Sequence, residues 1–131
     1  MTLAVSFTYE DENNLLWIRM SGVVTPDVAD EYTEFMEAND DVRPGYIEVV
    51  DFTDATDFEL SYQSIRRVTD VLSELKDKRG YSGTVMIAPN DFSFGIGRMV
   101  SAISEAAKIA DMRVVRDKSQ VYRAIEELRG K

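Results

Sequence analysis

A single α/β domain built on a five-stranded, mostly parallel sheet is the fold this sequence predicts, on three observations. Short β-branched runs are each followed by a stretch with helical spacing, the order that yields parallel strands joined by right-handed crossovers. The first two runs are separated only by Asp11-Glu12-Asn13-Asn14, a four-residue hairpin turn that sets the first strand antiparallel at an edge. The chain has 131 residues, 44% hydrophobic and 30% charged, with no repeat or linker, so one core of adequate size is expected. The predicted order over residues 1–131 is β-β-α-β-α-β-α-β-α, with four helices.

Each element has its own signal. Leu3, Val5, Phe7 and Tyr9 alternate with Ala4, Ser6, Thr8 and Glu10, the period of a half-buried strand. The return strand, Leu15 to Met20, places Leu16, Ile18 and Met20 on one face and Leu15, Trp17 and Arg19 on the other. Gly22 is expected to end it, and Thr25-Pro26-Asp27 to open a helix with Thr25 as N-cap. That helix runs to about Asn39 on a stripe of Val28, Tyr32, Phe35 and Met36. Arg43-Pro44-Gly45 is a turn, and Tyr46 to Phe52 reads as the central strand, followed by an acidic loop to Ser61.

Ile65, Val68, Leu72 and Leu75 mark the second helix, which Gly80 stops after Lys78-Arg79. Thr84 to Ala88 is the next strand. A third helix starts near Ser93, with Ile96, Met99, Val100, Ile103, Ala106, Ala107 and Ala110 as its expected buried side. Met112 to Arg116 closes the sheet. Ser119 then caps a final helix that turns Val121, Tyr122, Ile125 and Leu128 inward. One sheet face is expected to carry Arg19, Glu48, Thr84 and Arg113 beside Trp17, Tyr46 and Met86, with Arg19 opposite Glu48. Helices then pack mainly on the other face, and the mixed face is free to wet or to form a homodimer.

Composition narrows the chemistry. There is no cysteine and no histidine, which removes disulfides, thiolate catalysis, the Ser-His triad and Cys- or His-ligated metals. A net charge of −9 argues against nucleic acid. Residues 1–60 carry fifteen acids against Arg19 and Arg43 alone, whereas residues 61–131 carry thirteen bases and nine acids; an acidic and a basic part are expected to neutralise each other in the fold, the alternative being a polar surface for self-association or a basic partner. No apolar run reaches the length of a membrane span and no signal peptide is recognisable, so a cytoplasmic location is the expectation.

The element order and several positions resemble the STAS domain superfamily and, within it, the bacterial SpoIIAA-like proteins. The residues that carry the likeness are Gly22-Val23-Val24-Thr25-Pro26-Asp27, Asp51-Phe52-Thr53, Phe58-Glu59-Leu60, and Val114-Val115-Arg116 followed by Val121-Tyr122-Arg123-Ala124-Ile125. The resemblance implies a non-catalytic domain such as the anti-sigma-factor antagonists. These are switched by phosphorylation of a serine in an Asp-Ser-Ser-Gly turn at the start of the second helix. Ser61 falls on that serine and Glu59 on the acid, while Leu60 and Tyr62 depart from the pattern.

The expected function is therefore a regulatory or binding domain, without catalytic residues, metal or cofactor. It takes a protein partner or a small apolar ligand at the carboxyl ends of the strands. Asp51, Thr53, Glu59 and Ser61 form the expected polar rim, with Ser61 a candidate phosphorylation site. Phe92, Phe94 and Ile96, in a turn softened by Gly95 and Gly97, form the movable apolar side. One alternative is a Mg²⁺-dependent phosphoryl-transfer enzyme using Asp51 and Asp54. Another is membrane-surface or lipid association through the Phe92–Met99 turn, which the acidic charge disfavours.

Overall fold

The computed structural model describes residues 3–130; Met1, Thr2 and Lys131 of the expected domain lie outside the described residues. Five strands form one sheet in sequence order, β1 (Ala4–Glu10), β2 (Leu15–Val24), β3 (Ile47–Phe58), β4 (Gly83–Ile87) and β5 (Met112–Val115). β1 and β2 pair antiparallel and all later pairs are parallel, as the hairpin and the β-α alternation require. The helices are α1 (Asp27–Ala38), α2 (Tyr62–Arg79), α3 (Asp91–Ala106) and α4 (Val121–Arg129).

Each parallel strand lies next to its predecessor, so three right-handed crossovers in one direction put α1, α2 and α3 on the same face. The main core lies between them and Leu16, Ile18, Met20, Val50, Phe52 and Met86. α4 follows the last strand and lands on the opposite face, where Val121, Ala124 and Ile125 cover Leu15, Ile47, Val49, Val85 and Ile87. Asp117 opens it through a short 3-10 turn, its carboxylate taking the Ser119 amide at 2.9 Å, so Asp117 rather than Ser119 is the cap. Helices do pack mainly on one face. The composition of the faces differs from expectation, because Tyr46, Glu48, Thr84 and Met86 point at the helices. Arg19 is registered with Asp51, not with Glu48.

Two strand boundaries move. β2 runs through Gly22, whose φ of +80° is absorbed as a bulge in the β2–β3 ladder. β3 does not stop at Phe52. Beyond Ile87 it has lost β4 as a neighbour, yet it continues against β2 to the Val24–Phe58 pair. The acidic "loop" is thus a two-stranded ribbon projecting past the sheet. Asp-rich composition there reflects its exposure and disguises the strand.

The helix starts also differ in detail. Pro26, not Thr25, holds the cap position of α1, and the Thr25 hydroxyl meets only the Asp27 amide, at 3.4 Å. Ser61 caps α2 as its chemistry suggests, accepting from the Ser64 amide at 3.1 Å. α3 presents Ser93, Gly97 and Ser104 to the protein interior, while Met99, Ala106 and Ala107 are exposed. The cause is close approach to β5: a Cβ on Gly97 would stand 3.0 Å from Val114 Cγ1, so the helix lies against the strand along its small residues. That rotation leaves Ile96, Val100 and Ile103 only half-buried.

Candidate functional site

Three helices set against one sheet face leave a cavity of about 80 Å³. β2 and β3 supply Ile18, Met20, Val24, Val50 and Phe52 as its floor, α1 supplies Val28, Ala29 and Tyr32, and α2 and α3 supply Ile65, Val68, Val71, Ile96 and Val100. Leu60, Val68, Val71, Ile96 and Val100 are half-buried, so the α2–α3 side is where the wall thins towards solvent. The walls are almost wholly apolar, which suits a hydrocarbon surface and disfavours a charged one.

The exception sits on β3. Glu48 is 4% exposed and carries a carboxylate into this apolar setting. Its Oε1 accepts from Thr84 Oγ1 at 2.6 Å, and the Tyr81 hydroxyl bonds Thr84 in turn. Oε2 has no hydrogen-bond partner. Burial pushes the carboxyl up to about 7, against the pull of the Thr84 and Tyr32 hydroxyls. Tyr32 and Tyr46 share a hydroxyl–hydroxyl bond of 3.0 Å beside it, and burial raises both phenols. Glu48 was visible in the sequence as the one acid inside the apolar run Tyr46–Val50, where strand alternation alone does not tell an exposed acid from a buried one.

The residues expected to form the site lie at the carboxyl ends of the strands but divide between two faces. Asp51 faces the α4 side and is 3% exposed. Its Oδ1 accepts from the Thr53 amide at 2.9 Å and the Thr53 hydroxyl at 2.5 Å, while Oδ2 lies 3.7 Å from Lys118 Nζ and 4.0 Å from Arg19 Nε. That carboxylate ties β2, β3 and the turn before α4 together. Glu59 and Ser61 are exposed at the mouth of α2. Ile96 lines the cavity, Phe94 lies under the Arg116 guanidinium at 4.1 Å, and Phe92 is 59% exposed with its ring edge-on to Phe58 at 5.6 Å. Phe58 in turn meets Phe52 at 5.1 Å, so the ribbon tip and the α3 entry are joined by an aromatic relay.

Asp54 is exposed and Asp57 binds the Phe58 amide at 2.8 Å. Among the described residues no three Asp or Glu side chains gather where they could hold a metal ion. Among the same residues, no helix is long and apolar enough to cross a membrane.

No family model matches the chain, and no curated protein matches it in sequence. Solved structures of similar fold include two that the chain matches over nearly its whole length. One is an uncharacterised protein of the DUF3478 family with a SpoIIAA-like fold from Shewanella loihica PV-4, 14% identical, with 93% of this chain and 92% of that one covered and a TM-score of 0.59. The other is the anti-sigma factor antagonist SpoIIAA in its unphosphorylated form, 11% identical, with 98% and 100% covered and a TM-score of 0.52. The architecture is SpoIIAA-like: one α/β domain with a mixed five-stranded sheet and four helices.

Proposed function

We propose that this SpoIIAA-like domain is a non-catalytic binding module whose ligand is a small apolar molecule held between the sheet and helices α1, α2 and α3. The observation that carries the reading is the apolar cavity itself, closed on its outer side by half-buried residues of α2 and α3. Its 80 Å³ is well below the few hundred Å³ of an ordinary ligand pocket. A ligand of more than a few heavy atoms therefore needs the α3 entry to swing outward. Phe92, Phe94 and Ile96 are the residues that would move, and Glu59 and Ser61 would rim the opening. The absence of histidine and cysteine from the sequence, and the saturation of Asp51 by Thr53, Arg19 and Lys118, favour binding over phosphoryl transfer.

A second reading, docking of a protein partner, draws on the exposure of Tyr62, Phe92 and Met99 at the α2 and α3 entries and on the anti-sigma-factor antagonist among the similar folds. The first reading is tested by thermal melting of the protein with a panel of small apolar compounds, beside an Ala29→Leu variant that fills the cavity from α1. Melting temperatures that rise with the wild type and not with the filled variant support it. A panel that leaves the wild type unshifted refutes it.

A further inference from the structure

We infer that Glu48 is the contact for the polar end of the ligand, and that the cavity selects molecules presenting a hydroxyl on an apolar body. This rests on the binding reading of the same cavity and adds the class of ligand. Only Tyr32, Glu48 and Thr84 among the lining residues have polar side chains. The Tyr32 hydroxyl is bonded to Tyr46 and lies close enough to act on the Glu48 carboxyl without bonding Oε2, and the Thr84 hydroxyl is engaged by both Glu48 and Tyr81. What remains is Glu48 Oε2, buried and without a partner. A buried polar atom left unpaired costs more than most single contacts give, so a ligand that satisfies it gains affinity.

The chemistry of that atom selects the head group. With its carboxyl pushed up to about 7, Glu48 exchanges its proton around neutral pH. Oε2 is therefore an acceptor in one state and the natural proton carrier in the other, because Oε1 already accepts from Thr84. A hydroxyl donates to the first and accepts from the second. A ketone or ester only accepts. A ligand carboxylate would place a second negative charge where burial already disfavours one, and an ammonium would lose its hydration in an otherwise apolar chamber.

The test follows amide chemical shifts during titration with four probes of one chain length: n-hexanol, n-hexyl fluoride, n-hexylamine and n-hexanoate. Each is titrated into the wild type and into Glu48→Met, and the quantity read is the change in affinity on substitution, which cancels each probe's own transfer from water. Methionine is close in shape and removes the unpaired carboxyl, an exchange that buried sites tolerate. We expect n-hexanol to weaken about tenfold or more while n-hexyl fluoride is held as tightly as before. Equal binding of n-hexanol by both proteins overturns the role of Glu48 and leaves the cavity reading standing. Failure of every probe to bind the wild type overturns both. A Glu48-dependent loss for the amine or the carboxylate in place of the alcohol overturns the hydroxyl class. Contacts between bound n-hexanol and the wild type give an independent check that needs no variant. The carbon bearing the hydroxyl is expected against the Thr84 methyl, and the opposite orientation refutes the inference.

Discussion

Replacing Glu48 by Gln is expected to stabilise the protein at alkaline pH and to leave it nearly unchanged in mild acid. Burial raises the Glu48 carboxyl from 4.5 to about 7 in the folded chain. The folded state therefore holds a proton that the unfolded chain releases, and stability falls as pH rises from 4.5 through 7. A shift of that size corresponds to about 3 kcal/mol. Glutamine mimics the protonated carboxyl, keeps an oxygen for the Thr84 hydroxyl and cannot ionise. The groups facing Glu48 are Tyr32 on α1, Tyr46 two residues before it, and Tyr81 before β4, with Arg79 acting on Tyr46. All three phenols are raised above their ordinary value and stay neutral across this range. With no histidine or cysteine in the chain, few other side chains titrate between pH 6 and 8. Urea denaturation of both proteins at intervals from about pH 4.5 to 8.5 should show the variant's advantage growing by about 3 kcal/mol, or about 10 °C in melting temperature. A difference that stays flat within about 0.5 kcal/mol would refute the claim that an ionisable carboxyl is buried beneath the helices.

Three further outcomes follow from single residues. Gly80 ends α2 with φ of +76°, and a Cβ there would stand 2.7 Å from Pro44 Cα, so Gly80→Ala should cost at least about 2 kcal/mol in chemical denaturation. A cost below about 0.5 kcal/mol would mean that the α2 terminus and the Pro44 turn are not in contact as described. Gly95 is exposed on the first turns of α3 with open space around it. Gly95→Ala should therefore add about 0.5–1 kcal/mol and slow exchange of an apolar probe measured by NMR line shape; unchanged exchange would argue against movement of that turn. Asp51→Asn should cost about 1–3 kcal/mol through weakened contacts to Lys118 and Arg19, with no phosphate-ester hydrolysis lost. Metal-dependent turnover by the wild type that disappears in this variant would instead establish the phosphoryl-transfer alternative.

The hairpin, the alternation of strands and helices, and the caps of α2 were legible because each rests on local chemistry: strand periodicity, a serine before a helix, a glycine after one. The second half of β3 was not. Asp54, Asp57 and their neighbours look like loop residues because they are exposed, and only pairing with β2 past the bulge at Gly22 makes them a strand. The buried side of α3 was misread for a related reason. Helical spacing marks an apolar stripe, but the side that meets the sheet is chosen by how near the backbone can come, and Gly97 against Val114 made the small-residue side the closer fit.

By itself the sequence determined a cysteine- and histidine-free α/β domain and the order of its strands and helices. Only the tertiary structure decided which sheet face each charged residue occupies. It sent Asp51 to Arg19 and Lys118 and shut Glu48 beneath three helices with one oxygen unpaired. The physical reason is that a strand's alternation gives two faces without labels; the crossovers settle which face the helices cover, and burial then sets what the same carboxyl group can do.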